Sequence, residues 1–325
     1  MICEIRIPSN FKETIARKSP EVIPFIIWCS LMLRKDNISH LLYDVQLLRY
    51  KFNVVFNPLW VSTGMTVIIG VPLISWLTVT IPSDEADCLK VMEYYSFYFS
   101  YIPENNNCKA MAISQLFLQI AVHALRTVVT VFYVIVCCFF SKLLNTLSDR
   151  TLSLSHLKAN VCNSSILRYL ESYESVTKAM KSFENAMSFL IFLIEASDFV
   201  SIFYCFIKLD PFHQAKRESF LKNHAPAVIF HFLRALLSFL WVSLAASSLH
   251  EASKTTKEVQ EKIMKEMIIS DEANSKQLLR LFVVHNSPAF TLSAWGFFHF
   301  SKGMVLAAVG SILTYSLLIL QIDSK

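Results

Sequence analysis

Three apolar stretches of this chain each carry two ionisable residues three positions apart: His123 and Arg126, Glu195 and Asp198, His231 and Arg234. On a helix such a pair faces one side. Charge among apolar residues is expensive, about 2.5–3.5 kcal/mol for an Arg or Asp at the centre of a membrane helix on insertion scales. Acids on one stretch and bases on two others therefore point to mutual pairing between helices. Two readings use these residues. One is an intramembrane ion-pair and hydrogen-bond cluster without a ligand; the other is a polar chamber, open to the outside, that takes a small molecule. A proton relay would use the same side chains, but nothing else in the chain favours coupled transport. No metal-spaced Cys/His set, Gly-rich phosphate loop, HExxH or GxSxG spacing occurs. The chain is therefore expected to hold no metal or cofactor and to be no enzyme.

The elements that position these pairs are long and apolar. Only 17% of the 325 residues are charged, against about 25% in a soluble domain, and the charges are clustered. Mean hydropathy is +0.45. A membrane-spanning helix needs about 20 mostly apolar residues, and five stretches qualify: Val54–Ile81, Ala110–Phe140, Glu184–Ile207, Pro226–Leu249 and Lys302–Gln321. A sixth run, Val22–Leu33, is shorter and reads as an interfacial or buried helix. The expected fold class is an all-α transmembrane bundle. Net charge of +5 is too small and dispersed for nucleic acid.

Cations set the orientation. Segments 1–53, 141–183 and 250–302 hold eight, six and seven Lys and Arg, while 82–108 and 208–225 hold one and four. The alternation predicts a cytoplasmic N-terminus and an extracellular C-terminus. The layout is then a cytoplasmic segment 1–53, a four-span bundle 54–249 with a cytoplasmic helical loop 141–183, a cytoplasmic helical segment 250–301, and the last helix with the C-terminus, 302–325. The first 21 residues are polar, so no cleavable signal is expected. Cys88 and Cys108 fall in the predicted outer loop, where a disulfide or two free thiols are both open. The sequons at Asn37 and Asn163 lie on the cytoplasmic side and should stay unmodified. The aromatic run Met92–Tyr101 suits an interfacial belt or a cap over a chamber.

Within 250–284 no Pro or Gly occurs, and Val259, Ile263 and Met267 recur on one face. Glu258/Lys262 and Glu261/Lys265 are i,i+4 pairs in the favourable order. The fourth span is therefore expected to continue into the cytoplasm as a long helix, its apolar stripe packing on its own subunit or on a neighbour. Gly296, Gly303 and Gly310 recur at spacing seven and are read as one small-residue helical face. Beyond them, Leu318, Gln321 and Ile322 share a face that is apolar apart from one amide. Several copies around an axis would form a hydrophobic constriction of the kind that gates by dewetting. A helix end reaching the headgroups would look the same.

The stretch Phe290–Ile322 resembles the C-terminal signature of arthropod gustatory receptors. That signature is Thr-Tyr, five mostly apolar residues, then Gln-Phe, preceded by a Gly-Phe-Phe element. Thr314, Tyr315 and Gln321 match at the right spacing, as do Gly296, Phe297 and Phe298; Ile322 replaces the final Phe. The motif covers about the last 45 residues, and the rest agrees in architecture. The resemblance implies a seven-helix protein of inverted topology relative to G-protein-coupled receptors. It implies tetramers around a cation pore lined by the last helix and opened by a small molecule. On that footing Leu318, Gln321 and Ile322 would face the pore, with Thr314 and Tyr315 supporting it. Partners would be membrane lipid, a small-molecule tastant and related subunits in a homo- or hetero-tetramer at the plasma membrane. Five spans instead of seven is a departure, which keeps open a truncated, non-conducting paralogue or a receptor or transporter acting through partner proteins.

Overall fold

Caps and a proline, rather than a loss of apolar residues, divide the front of the chain. The computed structural model describes residues 11–54, 58–80, 108–155, 162–209, 218–269 and 282–323. Helix α1 (Phe11–Leu33) breaks at Arg34 and α2 (Lys35–Phe52) follows at once. Asn53 ends α2 in the left-handed region (φ 53°, ψ 37°), its N–H donating back to the Arg49 and Tyr50 carbonyls, as Asn commonly does at a helix C-terminus. Helix α3 (Pro58–Thr80) then opens on a proline, which loses nothing at a first helical position. This moves the start of the first expected span from Val54 to Pro58. The run Val22–Leu33 is the C-terminal half of a 23-residue helix, α1. Its Ile27 is fully buried, whereas Phe25, Trp28 and Leu33 are exposed.

The middle of the chain is three very long helices: α4 (Cys108–Ser155), α5 (Cys162–Leu209) and α6 (Glu218–Ile269). At 48, 48 and 52 residues and 1.5 Å per residue they run about 70–80 Å. The hydrocarbon core of a bilayer is about 30 Å, so each helix holds one apolar span and a long extension beyond it. The extensions of α4, α5 and α6 pack with α2 around Leu41, Val45, Leu48, Leu144, Leu170, Val176 and Leu249. Val259 and Ile263 of the α6 stripe are buried in that same core, so at these two positions the stripe packs on its own subunit. Glu261 and Lys265 close as an ion pair at 2.7 Å.

Four helices among the described residues are long and apolar enough to cross a membrane: α3 and the apolar parts of α4, α5 and α6. The last helix, α7 (Lys302–Asp323), has 22 residues, and its side chains are described as far as Tyr315. Outward surfaces of the spans are apolar. Helix α3 exposes Leu59, Trp60, Met65, Ile69, Leu73 and Ile74 and buries only Gly64, Pro72, Ser75 and Val79. In water a patch of that size invites association; in lipid it is the expected exterior. Small residues on the inner face let α3 close on α4. A Cβ placed on Gly64 would sit 2.7 Å from Val131 Cγ1.

One feature departs from an all-helical reading. Between the α6 extension and α7 lie a helical segment at 282–286 and a two-stranded hairpin, β1 (Ser293–Ala294) paired antiparallel with β2 (Phe298–His299). Trp295 and Gly296 form its turn with φ of 51° and 75°, closed by the Phe297 N–H on the Ala294 carbonyl at 3.0 Å. Two positive φ values are what a tight hairpin turn requires, and X-Gly supplies them. Gly296 therefore does not share a helical face with Gly303 and Gly310. It serves the turn, and only the latter two lie on α7.

Candidate functional site

Antiparallel packing of α4, α5 and α6 brings the three i,i+3 pairs to one level inside the bundle. Asp198 is at the centre. Arg126 pairs with it directly, and the Arg234 guanidinium lies 3.5 Å from the same oxygen. Arg126 also donates to Ser197 Oγ at 2.9 Å and to the Ile194 carbonyl at 3.2 Å. The carboxylate is fully buried and the Arg126 side chain nearly so. One acid thus holds two guanidinium groups from two different helices. His123 and His231 face each other alongside, ring centroids 5.5 Å apart.

Glu195 behaves differently from Asp198. It is equally buried, yet neither of its oxygens meets a donor, and the second oxygen of Asp198, the Nε atoms of both arginines, His123 Nδ1 and Thr130 Oγ1 are also unpartnered. Buried polar atoms in native proteins are nearly always hydrogen-bonded. Water or a small polar molecule would supply the missing partners here. Chemically the cluster offers carboxylate acceptors, guanidinium donors and two imidazoles to a small polar molecule.

The opposite end of the same helices is cross-linked more completely. Lys257, on the α6 extension beyond the apolar span, donates to the carbonyls of Val284, His285 and Ser287 and to Ser287 Oγ. A cation on the last carbonyls of a helical turn is a favourable cap. Burial lowers the Lys257 pKa from its ordinary value. Next to it, Phe290 N–H donates to Ser253 Oγ at 2.8 Å and His250 Nδ1 lies 3.2 Å from the Phe290 carbonyl. Ser293 Oγ donates to Glu184 at 2.8 Å. The hairpin then rests on α5 through aromatic contacts: Trp295 meets Phe189 edge-on at 4.8 Å, and Phe297 stacks on Phe192 at 4.8 Å. Arg34 joins this patch, donating to the Asn185 carbonyl at 2.6 Å with its guanidinium 5.7 Å from the Phe189 ring. The motif residues Gly296, Phe297 and Phe298 are thus a joint between α5 and the start of α7.

Farther along α7, Ile312 packs with Ile202 and Ala235, and the Tyr315 ring meets Phe203 edge-on at 6.4 Å. Thr314 Oγ1 returns to the Gly310 carbonyl at 2.8 Å. Leu306, Leu313 and Tyr315 remain exposed. Leu318, Gln321 and Ile322 lie on the helix, but their side chains fall outside the described residues, as do Cys88, the Cys108 side chain and the run Met92–Tyr101. Sequence reasoning missed the Lys257 clamp and the Arg34 contacts. Carbonyl groups brought from a distant segment leave no trace in residue types. The hairpin turn did have a signal, the Trp-Gly dipeptide between short apolar runs.

Residues 85–325 match the protein family described as trehalose receptor. No curated protein matches the chain. The fold is similar to that of the insect olfactory receptor OR5 from Machilis hrabei, with 12% identity, a TM-score of 0.70, and coverage of 97% of this chain and 83% of that one. The same receptor in complex with eugenol gives a TM-score of 0.71 at the same identity and coverage.

Proposed function

The chain belongs to the insect gustatory receptor family described as trehalose receptor, a receptor rather than an enzyme class, and from that premise we propose that it is a chemosensory subunit of a ligand-gated cation channel. In this reading several copies, or this chain with related subunits, surround an axis in the plasma membrane, N-termini cytoplasmic. Their last helices line the pore, with Leu318, Gln321 and Ile322 at the constriction. The supporting observation is the apolar face of α7, where Leu306 and Leu313 are exposed among the described residues. Helices in lipid associate by close packing of small residues, and Gly303 and Gly310 lie open on this helix.

The ligand enters among α4, α5 and α6. Glu195 supports a small hydroxyl-bearing tastant, because two buried carboxylate oxygens without donors suit two hydroxyl groups. The family description names a sugar of that class, and the similar olfactory receptor binds eugenol, a small molecule with a hydroxyl. Ligand opens the channel only by favouring the open arrangement over the closed one. Its contacts must therefore differ between the two.

Gln321→Arg tests the pore. Placing a cation at the constriction is expected to suppress inward cation current or reverse rectification in cells that carry the protein at the surface. Unchanged currents at normal surface level would remove α7 from the pore. Images of detergent-extracted particles give the second check: four copies with α7 at the axis are expected, and a stable monomer would refute the assembly.

A further inference from the structure

A second site lies well away from the intramembrane cluster, at the cytoplasmic end of α5. There a cavity of about 370 Å³ opens between α5 and the segment after 282, lined by Tyr173, Thr177, Lys178, Lys181, Val284 and Ser287. Lys178 and Lys181 are three apart and so share one face of the helix. Neither forms an ion pair or hydrogen bond among the described residues. Glu174, also on the lining, is the single opposing charge. Lys257 stands behind the far wall, its ammonium fixed on the Val284 and Ser287 carbonyls. The cavity thus carries two cations on its α5 wall and the hydroxyls of Tyr173, Thr177 and Ser287.

Depth narrows the occupant. Lys181 precedes the expected start of the span at Glu184 by three residues, about 4.5 Å along the axis, and Lys178 by about 9 Å. Both therefore sit at the level of lipid headgroups on the cytoplasmic face. Basic pockets between helices at that level bind phosphorylated headgroups, and each cation near the surface adds about 1 kcal/mol to the attraction. The other cavity of similar size, about 430 Å³ beside Cys138, has Lys142 and Asp149 on its lining and lacks a second cation.

We infer that the cavity between α5 and the 282–287 segment is a binding site for a phosphate monoester, held by Lys178 and Lys181. A phosphoinositide headgroup and a soluble phosphorylated metabolite share this chemistry. The site has a route to function, because its far wall, Val284 and Ser287, belongs to the segment that Lys257 clamps and that leads through the hairpin into α7. An occupied cavity ties α5 to that segment and biases the position of the last helix. Binding itself does not depend on the channel reading, so the two can fail separately.

The test uses the full chain in phosphatidylcholine nanodiscs, with or without a few mole per cent of phosphatidylinositol bisphosphate or phosphatidylserine, followed by native mass spectrometry. The wild-type protein is expected to retain the bisphosphate lipid in preference to phosphatidylserine. Lys178→Ala with Lys181→Ala should weaken retention roughly 30-fold, while Lys142→Ala leaves it intact. The double Arg replacement at 178 and 181 should restore binding, and an unchanged melting midpoint separates loss of the site from loss of the fold. Inositol trisphosphate added to plain phosphatidylcholine discs distinguishes the source. If it binds as tightly as the lipid, the occupant is a soluble phosphate, and if it does not, the occupant is a headgroup. Equal retention by the double Ala variant, or equal retention of phosphatidylserine, would overturn the proposal.

Discussion

The two ends of α4, α5 and α6 satisfy their buried polar groups to different degrees. At the membrane level one carboxylate, Asp198, serves two guanidinium groups and leaves Glu195 and several nitrogen atoms unpartnered. Beyond the apolar spans Lys257 has four acceptors within reach, Gln260 Nε2 donates to Tyr169 OH at 3.0 Å and Ser148 Oγ donates to Thr256 Oγ1 at 3.1 Å, while Gln260 Oε1, Thr177 Oγ1 and His285 Nδ1 are unpartnered. A polar network with its partners in place holds one arrangement, whereas one that is partly satisfied responds to anything that supplies the missing partners. In the proposed channel this difference would divide the roles, one end receiving a ligand and the other transmitting. On that reading the unpartnered atoms of the membrane-level cluster would meet the ligand. The Lys257 network clamps the segment that leads to α7 and would pass a shift on.

Asp198→Asn is the strongest way to break this division. It removes the carboxylate that pairs with both Arg126 and Arg234. Losing one partner of a buried ion pair costs about 3–5 kcal/mol. Most of the protein is expected to be lost from the surface, with a clearly lower melting midpoint in detergent. Glu195→Gln sharpens the contrast. It changes a carboxyl group whose oxygens meet no donor among the described residues, so the melting midpoint should hold or rise while the effective concentration of a hydroxyl-bearing ligand increases. If Glu195→Gln destabilises as much as Asp198→Asn, the two acids form one structural cluster and the ligand reading falls.

Lys257→Met probes the other end. Methionine keeps most of the apolar stem but removes the donor from the His285 and Ser287 carbonyls and leaves the Val284 carbonyl only Ser287 Oγ. Hydrogen bonds to charged groups contribute about 1.5–3 kcal/mol, and the bilayer-level cluster is untouched. The expected result is a moderate drop in melting midpoint with ligand binding preserved and ligand-evoked current reduced. A variant that binds and conducts normally would show that the clamp only holds the segment and transmits nothing.

Much of this architecture is readable from residue types, and the unread part has a common cause. Four of the five expected spans fall on helices long and apolar enough to cross a membrane, because lipid demands that length and hydropathy. The facing of 123/126, 195/198 and 231/234 follows from helical period, and opposite charges on neighbouring helices restrict who meets whom. Which acid holds both arginines is not readable, because it depends on helix rotation and depth, set by packing of small residues such as Gly64 against α4. The Lys257 clamp is hidden for a different reason: its acceptors are backbone carbonyls, present at every residue. Gly296 misleads because a spacing of seven suits a helix, while the neighbouring Trp295 and the short runs on either side suit a hairpin. Local turn chemistry prevails over the period.

Gly296→Ala carries the smallest effect and tests the joint between the two regions. The glycine has φ of 75° and no neighbouring atom within 4 Å of the place a Cβ would take, so an added methyl clashes with nothing and the cost is purely of the backbone. An L-residue in the left-handed region costs about 1–2 kcal/mol. The variant is expected to melt slightly lower, with no change in ligand affinity. Its current should fall only as far as the hairpin loses its seat on Phe189 and Phe192. Trp295→Ala, which removes the edge contact at 4.8 Å and leaves the turn glycine in place, separates the two contributions. If gating follows the aromatic contact rather than the turn, the hairpin acts as a bearing for α7. If it follows the turn, the hairpin acts as a fixed spacer.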